Sequence, residues 1–161
     1  MEYSTFTSRL GQRLNKMADA DLLRFGTEIC KRLYPDYAAF VRKHQWGDAD
    51  LLLDAISVCD RTLPSDPDPE IIRGLRIRID TIIPDTDDFG DFNGSYALNA
   101  SAAVAYVLQF LLDKSPENIK YAAALYYDNT DMKLHELGIS HEVELERHPR
   151  MEETRRFLLG E

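Results

Sequence analysis

The chain has only two cysteines among its 161 residues. Cys30 and Cys59 form no Cys-x-x-Cys pair, and each sits inside an apolar helical pattern. Both are expected as buried free thiols, which leaves a disulfide framework, a redox pair or a thiolate metal site nothing to build on. No unbroken apolar run reaches the roughly 18 residues that span a bilayer. The start, Met1 to Phe6, has no basic stretch leading into an apolar core. Neither a membrane span nor a secretory leader is expected, and the location implied is the cytoplasm. Apolar–polar alternation never lasts beyond a few residues, which removes strands. Gly-x-Gly-x-x-Gly, a Walker lysine loop and a Gly-x-Ser-x-Gly elbow are all missing. His135-Glu136 begins a zinc-protease motif, but the position of its second histidine holds Ile139. The four histidines, His44, His135, His141 and His148, are too irregularly spaced for one metal-binding helix face. No catalytic residue, cofactor-binding residue or metal ligand is therefore assigned.

What is present is globular in kind: 44% hydrophobic and 29% charged residues, enough for one domain over 1–161 with a sizeable core. The net charge of -9 is uneven. Residues 1–47 carry eight Lys/Arg against five Asp/Glu, and residues 48–161 carry eleven against twenty-three. An acidic surface repels phosphate backbones, which argues against direct nucleic-acid binding, and it suits a basic protein partner.

Apolar spacing of three and four residues predicts an all-α bundle of seven or eight helices. Helices are expected at 5–17 and at 19–33. The second is broken at Tyr34-Pro35, because the residue before proline avoids helical angles. Others are expected at 35–45, 49–62 (burying Leu52, Leu53, Ile56, Cys59 and Leu63) and 70–82 (with Ile71, Ile72, Leu75, Ile79 and Ile82 inward). Gly47 is suited to a left-handed cap and Asp48 to an N-cap. The segment 95–113, apolar nearly all round, is expected as the central helix. Ser115-Pro116-Glu117 then reads as a Ser-capped helix start, running to Leu137. Residues 139–148 are polar, and Pro149 opens a final helix to Leu159.

One stretch is not explained by joining two helices. Asp80–Asn93 holds five carboxylates and two phenylalanines with no Lys or Arg. An EF-hand register starting at Asp85 fits Asp87 and Gly90 but fails at Phe89 and Tyr96, so calcium is not expected. Two readings remain. In one, the acids cap and turn while the rings tuck under. In the other, Asp85, Asp87, Asp88, Phe89, Asp91 and Phe92 form an acidic–aromatic surface that grips a partner, an arrangement common at binding hot spots. Tyr127 and Asp131 join that list if Leu125, Asn129 and Met132 point inward. Asn99 and Asn129 fall within apolar patterns, where an unpaired amide costs about 1–3 kcal/mol. They are expected either to bond to each other or to the loop backbone and so lock helix register, or to line a polar ligand pocket.

The series Cys30-x-Arg32-x-Tyr34-Pro35-x-Tyr37-x-x-Phe40, then Gly47-Asp48, then Ile83-Pro84-x-x-Asp87-Asp88-Phe89 before an Ala-rich helix resembles the bacterial YjaG-like family. The likeness extends over roughly 25–157, including Glu144-Leu145-x-x-x-Pro149. The resemblance implies an all-helical domain of unknown function with no accepted catalytic residue, and a chain shorter at its C-terminus than the family's members. The function expected is non-enzymatic binding of a basic protein, most concretely as an immunity protein against a bacterial toxin domain. The alternative is a housekeeping role with a small ligand at Asn99 and Asn129. Oligomeric state is left open.

Overall fold

In the computed structural model, which describes all residues 1–161, eight helices follow one another without strands. They are α1 (Tyr3–Lys16), α2 (Asp19–His44), α3 (Ala49–Arg61), α4 (Pro69–Asp80), α5 (Phe92–Asp113), α6 (Pro116–Glu136), α7 (Glu142–Arg147) and α8 (Pro149–Leu159). The all-α class and the apolar central helix are as the periodicity predicts. α5 is long and apolar enough to cross a membrane, but most of it is buried among α2, α3, α4 and α6. Its small residues, Ala97, Ala100, Ala103 and Ala105, let those neighbours approach closely, while Val104, Leu108, Phe110 and Leu111 fill the space between them. All belong to one continuous core.

α2 corrects the expected break at Pro35. Proline removes one backbone donor and crowds the preceding turn. Yet the buried positions Leu22, Phe25, Ile29, Leu33, Tyr37 and Phe40 keep a spacing of three or four straight through it. One helix of 26 residues therefore lays one continuous face on α5 and α6. Burial of those side chains, worth about 1.5–3 kcal/mol each, outweighs the local penalty of about 3 kcal/mol. Gly26 sits where the three helices meet, and a Cβ there would lie 2.8 Å from Ile119 Cδ1 and 3.0 Å from Val107 Cγ2.

The helix ends agree with the expected caps in part. Asp48 accepts from the Leu51 amide as expected. The left-handed cap of α2, however, is Gln45 (φ 52°), whose amide donates to the Val41 carbonyl. Gly47, expected in that role, lies two residues further on at φ +93°, with the Tyr37 hydroxyl packed where a side chain would be. Asp68 accepts from the amides of Glu70 and Ile71. Ser115 is a correction: its side chain caps nothing, and Asp113 instead accepts from the Ser115 amide and the Asn118 side chain. The polar stretch 139–148 contains the short α7, which buries no residue. Three apolar side chains expected inside are on the surface: Leu53 (44% exposed), Leu63 (67%) and Ile71 (56%). The outer sides of α3 and α4 meet no other helix, so an apolar stripe wider than the core has nothing to cover it.

Candidate interaction surface

The acidic stretch is a short, closed loop between α4 and α5, held at both ends. Asp85 starts a turn: its side chain accepts from the Asp87 amide at 2.9 Å and its carbonyl from the Asp88 amide at 3.0 Å. Ile82 and Pro84 are buried beneath it. Phe89 inserts into an aromatic nest on α2 and the turn after it, with ring centroids 4.9 Å from Phe40, 5.1 Å from His44 and 5.3 Å from Trp46. Tyr37 ties the same region from below, donating to the Ile82 carbonyl at 2.8 Å and accepting from the Asp48 amide. Burial pushes its phenol up to about 12.

Asp91 closes the loop. Its carboxylate accepts from Lys43 Nζ at 2.6 Å, from His44 Nε2 at 3.0 Å and from the Gly94 amide at 3.0 Å as the N-cap of α5. The Lys43 hydrogen bond first, then the Gly94 amide and His44, hold its carboxyl down at about 2. No sequence signal in the loop itself announces this clasp, because Lys43 and His44 come from the end of α2, far away in the chain.

The structure therefore sorts the expected surface. Phe89 is an anchor rather than a contact residue, and Asp91 has its charge met within the molecule. Asp85, Asp87 and Asp88 are exposed, and none lies in an ion pair. Phe92, the first residue of α5, is 40% exposed and stacks on Tyr96 at 6.1 Å. Tyr127 is a correction: it is buried against Phe6 and Tyr3, and Arg155 donates to its hydroxyl at 3.0 Å. Asp131 is partly buried and pairs with His135 at 3.3 Å. Nowhere do three His, Cys, Asp or Glu side chains converge as metal ligands would.

The two asparagines meet as one of their readings requires. Asn99 Nδ2 donates to Asn129 Oδ1 at 3.3 Å, and Asn129 Nδ2 donates to Asp36 Oδ2 at 3.0 Å. Lys133 Nζ donates to both Asp36 oxygens, at 2.8 and 3.0 Å, and lies over the Tyr96 ring. Tyr96 in turn donates to Glu136. Burial, then the Glu136 hydrogen bond, raises the Tyr96 phenol. The amides of both asparagines have partners, so this network fixes the register of α2, α5 and α6 rather than waiting for a ligand. The only buried side-chain polar atoms without a partner are the Nε atoms of Arg76 and Arg155.

Fold and surface together define an all-helical protein with one core, whose most distinctive outward feature is a clasped acidic loop. The chain belongs to the family described as "Protein of unknown function (DUF416)", whose model matches residues 9–158. The crystal structure of a DUF416 family protein from Shewanella baltica OS155 is similar, with a TM-score of 0.80 over 92% of this chain and 81% of that one. At 21% identity the likeness concerns the fold. No curated protein matches. The Tyr34-Pro35-x-Tyr37 and Ile83–Phe89 motifs, far apart in the chain, are the two halves of the clasp, joined by the Tyr37–Ile82 hydrogen bond and the Phe40–Phe89 contact.

Proposed function

We propose that this chain is a non-enzymatic binding protein that presents Asp85, Asp87, Asp88 and Phe92 to a basic protein partner in the cytoplasm. The observation that carries the reading is the loop itself: three exposed carboxylates without a cation, on a backbone already fixed by Phe89 and Asp91. A preformed contact surface loses little conformational entropy on binding. Its unscreened charge accelerates encounter with an oppositely charged patch, and the half-exposed Phe92 supplies an apolar anchor beside it. The most concrete form of the proposal is an immunity protein that covers the phosphate-binding cleft of a nucleic-acid-cutting toxin. The narrower likeness to YjaG-like proteins rests on the two motifs of the clasp and adds no residue role.

The test takes a basic protein encoded beside this gene and measures its affinity by calorimetry at low and high salt. The expected result is binding that weakens with salt, and that falls by about tenfold or more in Asp87→Lys/Asp88→Lys. Undiminished binding by that variant removes the loop from the interface.

A further inference from the structure

The outer face of α4 carries a second surface, unrelated to the acidic loop. Ile71 and Ile77 are 56% and 67% exposed, and Leu63, in the turn leading to α4, is 67% exposed. Between the two isoleucines lies Gly74, with nothing within 4 Å of where its Cβ would be. An exposed glycine in a helix interior costs about 1 kcal/mol relative to alanine, and α4 carries it at the midpoint of its apolar outer stripe. Around it the charges are ordered, with Glu70 one turn before Gly74 and Arg78 one turn after. Neither Glu70 nor Arg78 has an ion-pair partner within the chain, whereas Arg76, on the other side of the helix, is paired with Asp80.

These positions are self-complementary. Two copies of α4 placed antiparallel and centred on Gly74 bring residue 70 level with residue 78 of the second copy, and 71 level with 77. Glu70 then meets Arg78 on both sides of the two-fold axis, and each Ile71 meets an Ile77. The bare backbone at Gly74 lets the two helices approach closely at the crossing. Symmetric, self-matching patches of this kind are what a two-fold interface requires. We propose that the α4 face is the contact between two copies of this chain in a two-fold homodimer. α4 is 12 residues, about 18 Å long, so the contact belongs to the small-area class of interfaces and forms reversibly as concentration rises.

The experiment is sedimentation equilibrium of the full chain from micromolar to near-millimolar concentration. The expected result for the unaltered protein is a mass rising from one chain towards two. Ile77→Lys weakens association about tenfold or more, since both copies lose an apolar contact and gain a charge. Gly74→Gln does the same by wedging the helices apart, and raises the thermal midpoint of the isolated chain because a better helix former fills open space. Glu70→Arg and Arg78→Glu each weaken association, and the double reversal restores it to within about threefold of the unaltered protein. A mass that stays at one chain throughout overturns the proposal. So does a dimer indifferent to Ile77→Lys and Gly74→Gln, or one in which the double reversal is no better than either single change.

Discussion

Tyr127 shows what one side chain can do when it is read from the wrong face. Its helix, α6, packs on α2 and α5 along one side and on α1 and α8 along another. The stripe that turns Asn129 towards α2 therefore leaves Tyr127 facing α1, not water. There it receives a hydrogen bond from Arg155, which is only 4% exposed and also donates to the Glu146 carbonyl at 3.0 Å. Arg155 has no carboxylate partner, so the Tyr127 hydroxyl is one of only two acceptors it has. Tyr127→Phe keeps the ring contacts with Phe6 and Tyr3 and deletes that acceptor. It is expected to lower stability by about 1–3 kcal/mol, read as a shift in the urea midpoint. The asparagine pair was legible in part: an amide inside an apolar pattern must find a partner, but the pattern also admitted a polar pocket. Arg155 was not, because arginine in a C-terminal amphipathic helix looks the same whether or not another helix covers it.

At the level of elements, the loop before α5 depends on a close approach. A Cβ at Gly94 would lie 2.6 Å from the Phe89 carbonyl oxygen and 2.8 Å from its Cβ, so backbone rather than a flexible side-chain tip would have to move. Gly94→Ala is expected to cost about 1–3 kcal/mol by that overpacking. The loss should be local: hydrogen exchange of amides 85–91 speeds up while that of the α5 centre does not. Uniform acceleration across the chain would place the strain in the core instead. Asp48 was readable as a cap because a short acidic side chain before an apolar stripe satisfies free amides wherever the helix goes. Pro35 misled because its local preference opposes a helix that only the packing of two long apolar faces on α5 and α6 maintains.

For the molecule as a whole, two titrating groups of the clasp make stability depend on pH in opposite directions. Asp91 has a folded pKa of about 2 against an ordinary 3.8. A depressed carboxylate contributes stability that is present above the unfolded value and is lost as pH falls through the folded one. The acid transition should therefore include a loss between about pH 4 and pH 2, which Asp91→Asn removes. Tyr37 runs the other way, at about 12 in the fold against an ordinary 10.0. Its contribution is complete below pH 10 and disappears as pH rises towards about 12. Urea midpoints measured across both ranges, with Tyr37→Phe for the alkaline arm, check both signs. The two groups sit on opposite sides of the same clasp, so loss of either should loosen the 81–91 loop.

Composition and spacing alone determined the helical class, the buried thiols and the central position of α5, and narrowed Asn99 and Asn129 to a bonded pair or a polar pocket. Each follows from burial of apolar periodicity and from the cost of an unpaired buried amide, which act along a single helix or between two apolar stripes. Tertiary structure decided which charges are free. It brought Lys43 and His44 to Asp91, turned Tyr127 inward and left Ile71 and Leu63 uncovered. Those outcomes depend on which helices become neighbours, and no property of a residue's own segment encodes its neighbour across the core.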